Sequence, residues 1–156
     1  MSTVRMLHRV DPMMLWFLGT SVATVWFVFR DPRFPFRFVV LGALAPDVID
    51  GVSGLRFAHS VVSVVVAMAI VMGATFGRKP IRKTLLAVVI GLFLHLVFDF
   101  AFANTQMFWW PLGGFDFVDD ALPIVDRGWW NVPLEAIGAV LAVWTSRQVA
   151  FATSTD

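Results

Sequence analysis

The chain has 156 residues, 58% of them hydrophobic and only 15% charged, with a mean hydropathy of +0.78. A soluble domain is typically about half apolar and about a quarter charged, so this chain lacks the charge to coat a water-facing surface. Its net charge of +1 argues against a nucleic-acid binder, and the lack of cysteine excludes a disulfide scaffold.

A transmembrane helix needs about 20 mostly apolar residues, within a range of roughly 17–25. The first apolar run, Met13 to Phe29, is closed by Arg30, Asp31 and Pro32. It is long for the h-region of a signal peptide and no A-x-A cleavage site follows it, so it reads as a helix. The second, Phe38 to Ile49, is shorter and broken by Pro46 and Asp47, which leaves a re-entrant or buried segment open as an alternative. The third is Phe57 to Phe76, the fourth Leu85 to Ala103, and the fifth runs from about Val132 to Trp144 and on toward Phe151. These runs predict an all-α polytopic membrane protein of about five transmembrane helices, forming a single integral domain over residues 1–156. No 20–50-residue repeat and no linker divides it.

Lys and Arg in short loops orient such a protein. Arg30, Arg33, Arg37, Arg78, Lys79, Arg82, Lys83 and Arg147 fall on one side of a five-span topology, and Arg5, Arg9, Arg56 and Arg127 on the other. Eight against four predicts an outside N-terminus and a cytoplasmic C-terminus. The loop 104–131 then faces outward. Its Asp116, Asp119, Asp120 and Asp126 lack EF-hand spacing and read as a solvated loop. Trp109–Trp110 and Trp129–Trp130 stand at its ends, where an interfacial aromatic belt is expected.

Ionisable groups inside spans are costly and usually functional. Here they are Asp47 and Asp50, His59, His95 and Asp99, and Glu135, the single glutamate. At about 1.5 Å per helical residue they lie about 14–26 Å from the cytoplasmic ends of their spans, within a hydrocarbon core about 30 Å thick. Four helices thus contribute to one polar slab between the midplane and the outer face. His95 and Asp99 are spaced i,i+4 and Asp47 and Asp50 i,i+3, so each pair shares a helix face. Two imidazoles and several carboxylates suit zinc or manganese, and also iron. A metal also resolves the cost of buried carboxylates. The expected ligands are Asp47, His59, His95 and Asp99, with Asp50 or Glu135 as general base. Taken singly, each has a plain alternative: an interhelical hydrogen-bond pair, a turn residue after Pro46, or a wet N-terminal turn at His59. Arg56, on the outer rim, could clamp an anionic head group or simply snorkel. Trp110 could wall a lipid-facing pocket or belong to the aromatic belt. The expected partners are membrane lipids, with a second copy or another membrane protein beside them and no nucleic acid.

The ordered set Gly42-Ala43-Leu44-Ala45-Pro46-Asp47-Val48-Ile49-Asp50, then His59-Ser60, then His95-x-x-x-Asp99, then Trp110-Pro111 resembles the bacterial membrane-bound metal-dependent hydrolases. These are also described as LexA-binding, inner membrane-associated hydrolases. Members typically show G-x-x-x-P-D-x-D, then H-R-G-x-T-H-S, then H-x-x-x-D, then a W-P element. The match covers about residues 38–111. It implies a small helical protein of the inner membrane with a metal centre built from Asp47, Asp50, His59, His95 and Asp99. The chain departs from the pattern in three places. Asp50 follows Asp47 by three residues rather than two, Gly54 and Leu55 replace the H-R pair, and the first-helix His has no match beyond His8. The function expected is hydrolysis of a lipid or lipid-linked ester or phosphoester in the outer half of the membrane. The alternatives are a non-catalytic membrane subunit or assembly factor with a structural His/Asp network, and a proton or ion pathway, which the absence of an internal repeat disfavours.

Overall fold

The structure, a computed structural model, describes residues 13–53, 57–115 and 128–155, and among them every regular element is helical. Helix α1 (Met14–Phe29) ends on Arg30 in the left-handed conformation, its N–H donating to the Trp26 carbonyl at 3.0 Å. Helix α2 (Phe36–Ser53) is longer than its apolar run and passes through Pro46. A proline inside a helix has no N–H for the carbonyl four residues back and costs about 3 kcal/mol or more. Here the position is fully buried, so packing offsets the loss. The third run divides. Phe57–His59 is a 3-10 turn, Ser60 caps the next helix by accepting from the Val62 N–H at 3.1 Å, and α3 is Val61–Ala74. Helix α4 (Lys79–Phe98) starts six residues before its apolar run, because Pro80 in the first turn suits a helix start and Lys and Arg tolerate it there. It stops at Asp99, after which Phe100 is left-handed and Ala101–Ala103 form another 3-10 turn. A four-residue helix α5 (Thr105–Phe108) is capped by Asn104, and α6 (Asn131–Thr155) follows a 3-10 turn at Gly128–Trp130.

Among the described residues α4 alone is both long and apolar enough to cross a membrane by itself. At about 1.5 Å per residue, α1 and α3 reach about 24 and 21 Å, short of an average hydrocarbon core. Helix α2 is interrupted by Arg37, Asp47 and Asp50, and α6 by Glu135 and Arg147.

Helix directions follow from particular contacts. Glu135, near the start of α6, accepts the N–H groups of Leu15 and Trp16 in the first turn of α1, each at 3.1 Å. Those two donors have no partner within their own helix, so a carboxylate from α6 caps α1. Gly19 abuts Gly138 in the same interface, and α1 and α6 therefore run parallel. Gly91 lies on Val39 and Ala43, and the Ala43 carbonyl accepts from His95, so α2 and α4 are parallel too. Short connections at 30–35 and 75–78 turn α1 into α2 and α3 into α4. The five long helices thus alternate in direction.

This alternation gathers Arg30, Arg33, Arg37, Arg78, Lys79, Arg82 and Lys83 at one end, with Arg147 in the same half of α6. Across that end the Lys83 ammonium binds Asp31 Oδ2 at 2.9 Å. The hydrogen bond from Lys83, followed by that from the Arg33 N–H, holds the Asp31 carboxyl below its ordinary value of 3.8. A lowered folded-state pKa adds stability that is complete above the unfolded value and is lost as pH falls through the folded one. Both groups are well exposed, so the pair is worth under about 1 kcal/mol. Asp31→Asn is accordingly expected to cost under about 1 kcal/mol at neutral pH and nothing once pH falls below the carboxylate range. Thermal unfolding at both pH values checks this.

Val25, Val39, Ala87 and Leu94 form one core cluster, and Val64, Val89, Leu96 and Ala101 a second. Large apolar side chains also stand on the outside: Phe27, Leu41, Val52, Ile70, Trp129 and Val140 are all exposed.

Candidate metal centre

Asp47 and Asp50 stand one turn apart at the end of α2 where α4 finishes. Asp50 is buried, and Asp47 sits at the edge of the buried face. The 3-10 turn after α2 delivers His59 onto them, and His95 arrives from the last turn of α4. Both imidazoles are fully buried.

The hydrogen bonds determine which nitrogen of each ring is free. His59 Nδ1 lies 2.7 Å from Asp50 Oδ2, and His95 Nδ1 lies 2.7 Å from the Ala43 carbonyl. A carboxylate and a carbonyl only accept, so each Nδ1 carries the proton, and in its neutral form each ring turns the lone pair of Nε2 inward. The two Nε2 atoms face one another at 3.3 Å, and Asp47 Oδ1 stands 3.6 Å from that of His59 and 3.5 Å from that of His95. With both rings neutral, as metal ligation requires, the three facing atoms all offer lone pairs. Ligands about 2.0–2.2 Å from a tetrahedral ion are about 3.3–3.6 Å apart, and all three observed separations fall there. Asp47, His59 and His95 therefore form a group that can hold a metal ion, with a fourth position left open.

The surrounding groups orient these ligands. Asp50 Oδ1 also accepts the Ala58 N–H at 3.2 Å, so one buried carboxylate fixes both the turn and the His59 tautomer. Such outer partners raise ligand basicity and are worth about 10–100-fold in metal affinity. Asp50→Asn leaves a single carbonyl oxygen for two donors and removes the charge. We expect it to weaken zinc binding by about 10–100-fold, measured by competition with a fluorescent chelator. The Ser60 hydroxyl reaches the carbonyls of Phe108 and Trp110 and pins the residue after His59 to the chain beyond α5. The Phe17 ring covers His95 with centroids 4.1 Å apart.

The residues expected from sequence are used unequally. Asp47, His59 and His95 come together as ligands, and Asp50 adjoins them through His59. Asp99 is buried one turn beyond His95, where it caps α4 and donates its backbone N–H to the His95 carbonyl at 2.8 Å. It is not one of the three converging ligands. Glu135 is engaged at the start of α1. Trp110 contributes its backbone carbonyl to Ser60. Arg56, His8, and the aspartates at 116, 119, 120 and 126 lie outside the described residues. The sequence assigns no role to the Ala43 carbonyl, to Ser60 or to Phe17. Of these only Ser60 carries a signal, as a capping residue before an apolar run.

Fold and site define the class: an all-helical bundle with a centre of two buried histidines and one aspartate near one end. The chain matches no family model, no curated protein and no solved structure.

Proposed function

We propose that this chain is a five-span protein of the inner membrane that uses the Asp47–His59–His95 centre as a metal-dependent hydrolase. In this reading its substrate is a lipid or lipid-linked ester or phosphoester in the outer half of the bilayer. The observation that carries the proposal is the convergence of two Nε2 lone pairs and a carboxylate oxygen at tetrahedral separations. The sequence resemblance to membrane-bound metal-dependent hydrolases points the same way, since its short elements supply these three residues. The membrane placement is supported by an outer surface rich in large exposed apolar side chains and by helices of alternating direction. With the Lys and Arg of the described residues gathered toward one end, the bundle would lie with both α1 and α6 starting outside and the C-terminus in the cytoplasm.

Two imidazoles and one carboxylate suit zinc or manganese. Such an ion supplies Lewis acidity toward a carbonyl or phosphoryl oxygen. The protein's own part is to hold that position in a buried, oriented site. Asp50 keeps His59 in the Nδ1–H tautomer, Ala43 does the same for His95, and Phe17 shields it. The Asp50 and Glu135 carboxylates are occupied by His59 with Ala58 and by Leu15 with Trp16, so in this conformation they position rather than take up a proton.

Metal analysis of purified protein tests the reading. About one equivalent of zinc or manganese per chain, together with metal-dependent cleavage of a fluorogenic lipid ester or phosphoester, is expected for a three-ligand site. Bound metal below about a tenth of an equivalent would sink it. Stoichiometric metal without turnover of either substrate class would favour the non-catalytic subunit.

A further inference from the structure

We infer that the metal centre is approached sideways, across the lipid-facing side of α2, past Asp47 and Gly51, by an amphiphile with an anionic oxygen headgroup. This rests on the proposed metal centre and names the substrate class that its surroundings select.

The centre is closed on most sides. His59, His95 and Asp50 are essentially inaccessible, Phe17 covers His95, and α2 and α4 are sealed together where Gly42 meets Gly91. Asp47 differs: 36% of its side chain is exposed. The only ligand open to an incoming molecule thus lies at the rim.

The helical wheel shows what borders that rim. At about 100° per residue, Leu41, Val48 and Val52 fall within an arc of about 40°, and Gly51 sits between that arc and Asp47. All three apolar side chains are exposed, with Val52 at 86%. Gly51 is exposed as well, and a Cβ added there would meet nothing within 4 Å. An open notch therefore joins the exposed ligand to an apolar strip one helix face wide.

Chemistry fits each part to a part of the ligand. A divalent ion with one carboxylate and two neutral imidazoles keeps a net positive charge and takes a hard oxyanion in its open position. The exposed apolar strip beside the rim suits an acyl or alkyl tail. Free small oxyanions share the headgroup chemistry but lack the tail.

The test uses full-length protein loaded with cobalt(II) in phosphatidylcholine nanodiscs, titrated with dodecylphosphonate or methylphosphonate while the cobalt absorption is followed. Dodecylphosphonate is expected to bind at least about tenfold tighter, the gain that burial of about two methylenes supplies. Gly51→Trp fills the notch. It should weaken the dodecyl ligand at least about tenfold, the same methylene scale, with cobalt content unchanged. Val140→Trp, on the exposed face of α6, controls for partitioning into the bilayer and should change nothing. Equal binding of the two phosphonates, or equal effects of the two Trp variants, overturns the inference while leaving the metal centre intact. Failure to bind cobalt removes the metal centre and this inference with it.

Discussion

His95→Ala is expected to abolish stoichiometric metal binding, a larger effect than any outer-partner substitution. The imidazole is fully buried, it supplies one of three ligand atoms, and its other nitrogen ties α4 to the Ala43 carbonyl of α2. Removing an outer partner costs about 10–100-fold in affinity, so losing a ligand should exceed about 100-fold. Added zinc at about 100 times its Kd stabilises a binding-competent protein by about 2.7 kcal/mol. For a chain near 150 residues that raises Tm by several degrees, at about 2–4 °C per kcal/mol. Wild type should show this shift and the variant should not. Because alanine also leaves a cavity and removes the bond to the Ala43 carbonyl, His95→Gln is the companion variant, since its amide can still donate to that carbonyl. Both should lack the zinc-dependent shift, whereas helical circular dichroism should survive in His95→Gln. A normal zinc response in either variant would show that His95 is not a ligand.

Gly42→Val should be among the most damaging substitutions outside the ligands. A Cβ built on Gly42 overlaps the Val88 carbonyl, and one built on Gly91 overlaps the Val39 carbonyl. Both obstacles are backbone, so no rotamer change relieves them and α2 must move away from α4. Overpacking typically costs about 1–3 kcal/mol, and a backbone clash belongs at or above the top of that range. Separation also pulls Ala43 from His95, which couples packing to the metal centre. We therefore expect a loss of at least about 3 kcal/mol, together with weakened zinc binding. Gly73→Ala is the matched control. Nothing lies within 4 Å of an added Cβ there, so helix propensity alone predicts a change of under about 1 kcal/mol. Thermal unfolding in one detergent compares them directly. Equal Tm values for Gly42→Val and Gly73→Ala would contradict the close crossing.

Much of the helical pattern is legible from apolar runs, yet their ends are not helix ends. The fourth run starts at Leu85, whereas α4 starts at Lys79, because hydropathy reports burial and backbone hydrogen bonding continues into charged residues. Pro46 reads locally as a breaker, but α2 continues through it because the residue packs into the bundle. Conversely, Phe57 to Phe76 reads as one run, but the Ser60 side chain starts a new helix within it. Glu135 shows the same limit at the site. Its depth matched that of the polar slab, but depth along an axis says nothing of azimuth, and its carboxylate faces the start of α1.

Residue order along the chain establishes that few ionisable groups stand among apolar runs and that Asp47, Asp50, His59, His95, Asp99 and Glu135 are those groups. Spacing along the chain also put Asp47 with Asp50, and His95 with Asp99, on shared faces. Which of these groups meet is set by the packing of the helices. The helix crossing at Gly42 and Gly91 sets the distance between α2 and α4, and the Asp50–His59 bond sets the rotation of the turn between α2 and α3. Together they choose Asp47, His59 and His95 as the converging atoms and leave Asp50 to orient them. Local periodicity specifies a face, whereas convergence depends on packing between segments up to 52 residues apart, as in the bond from His95 to Ala43.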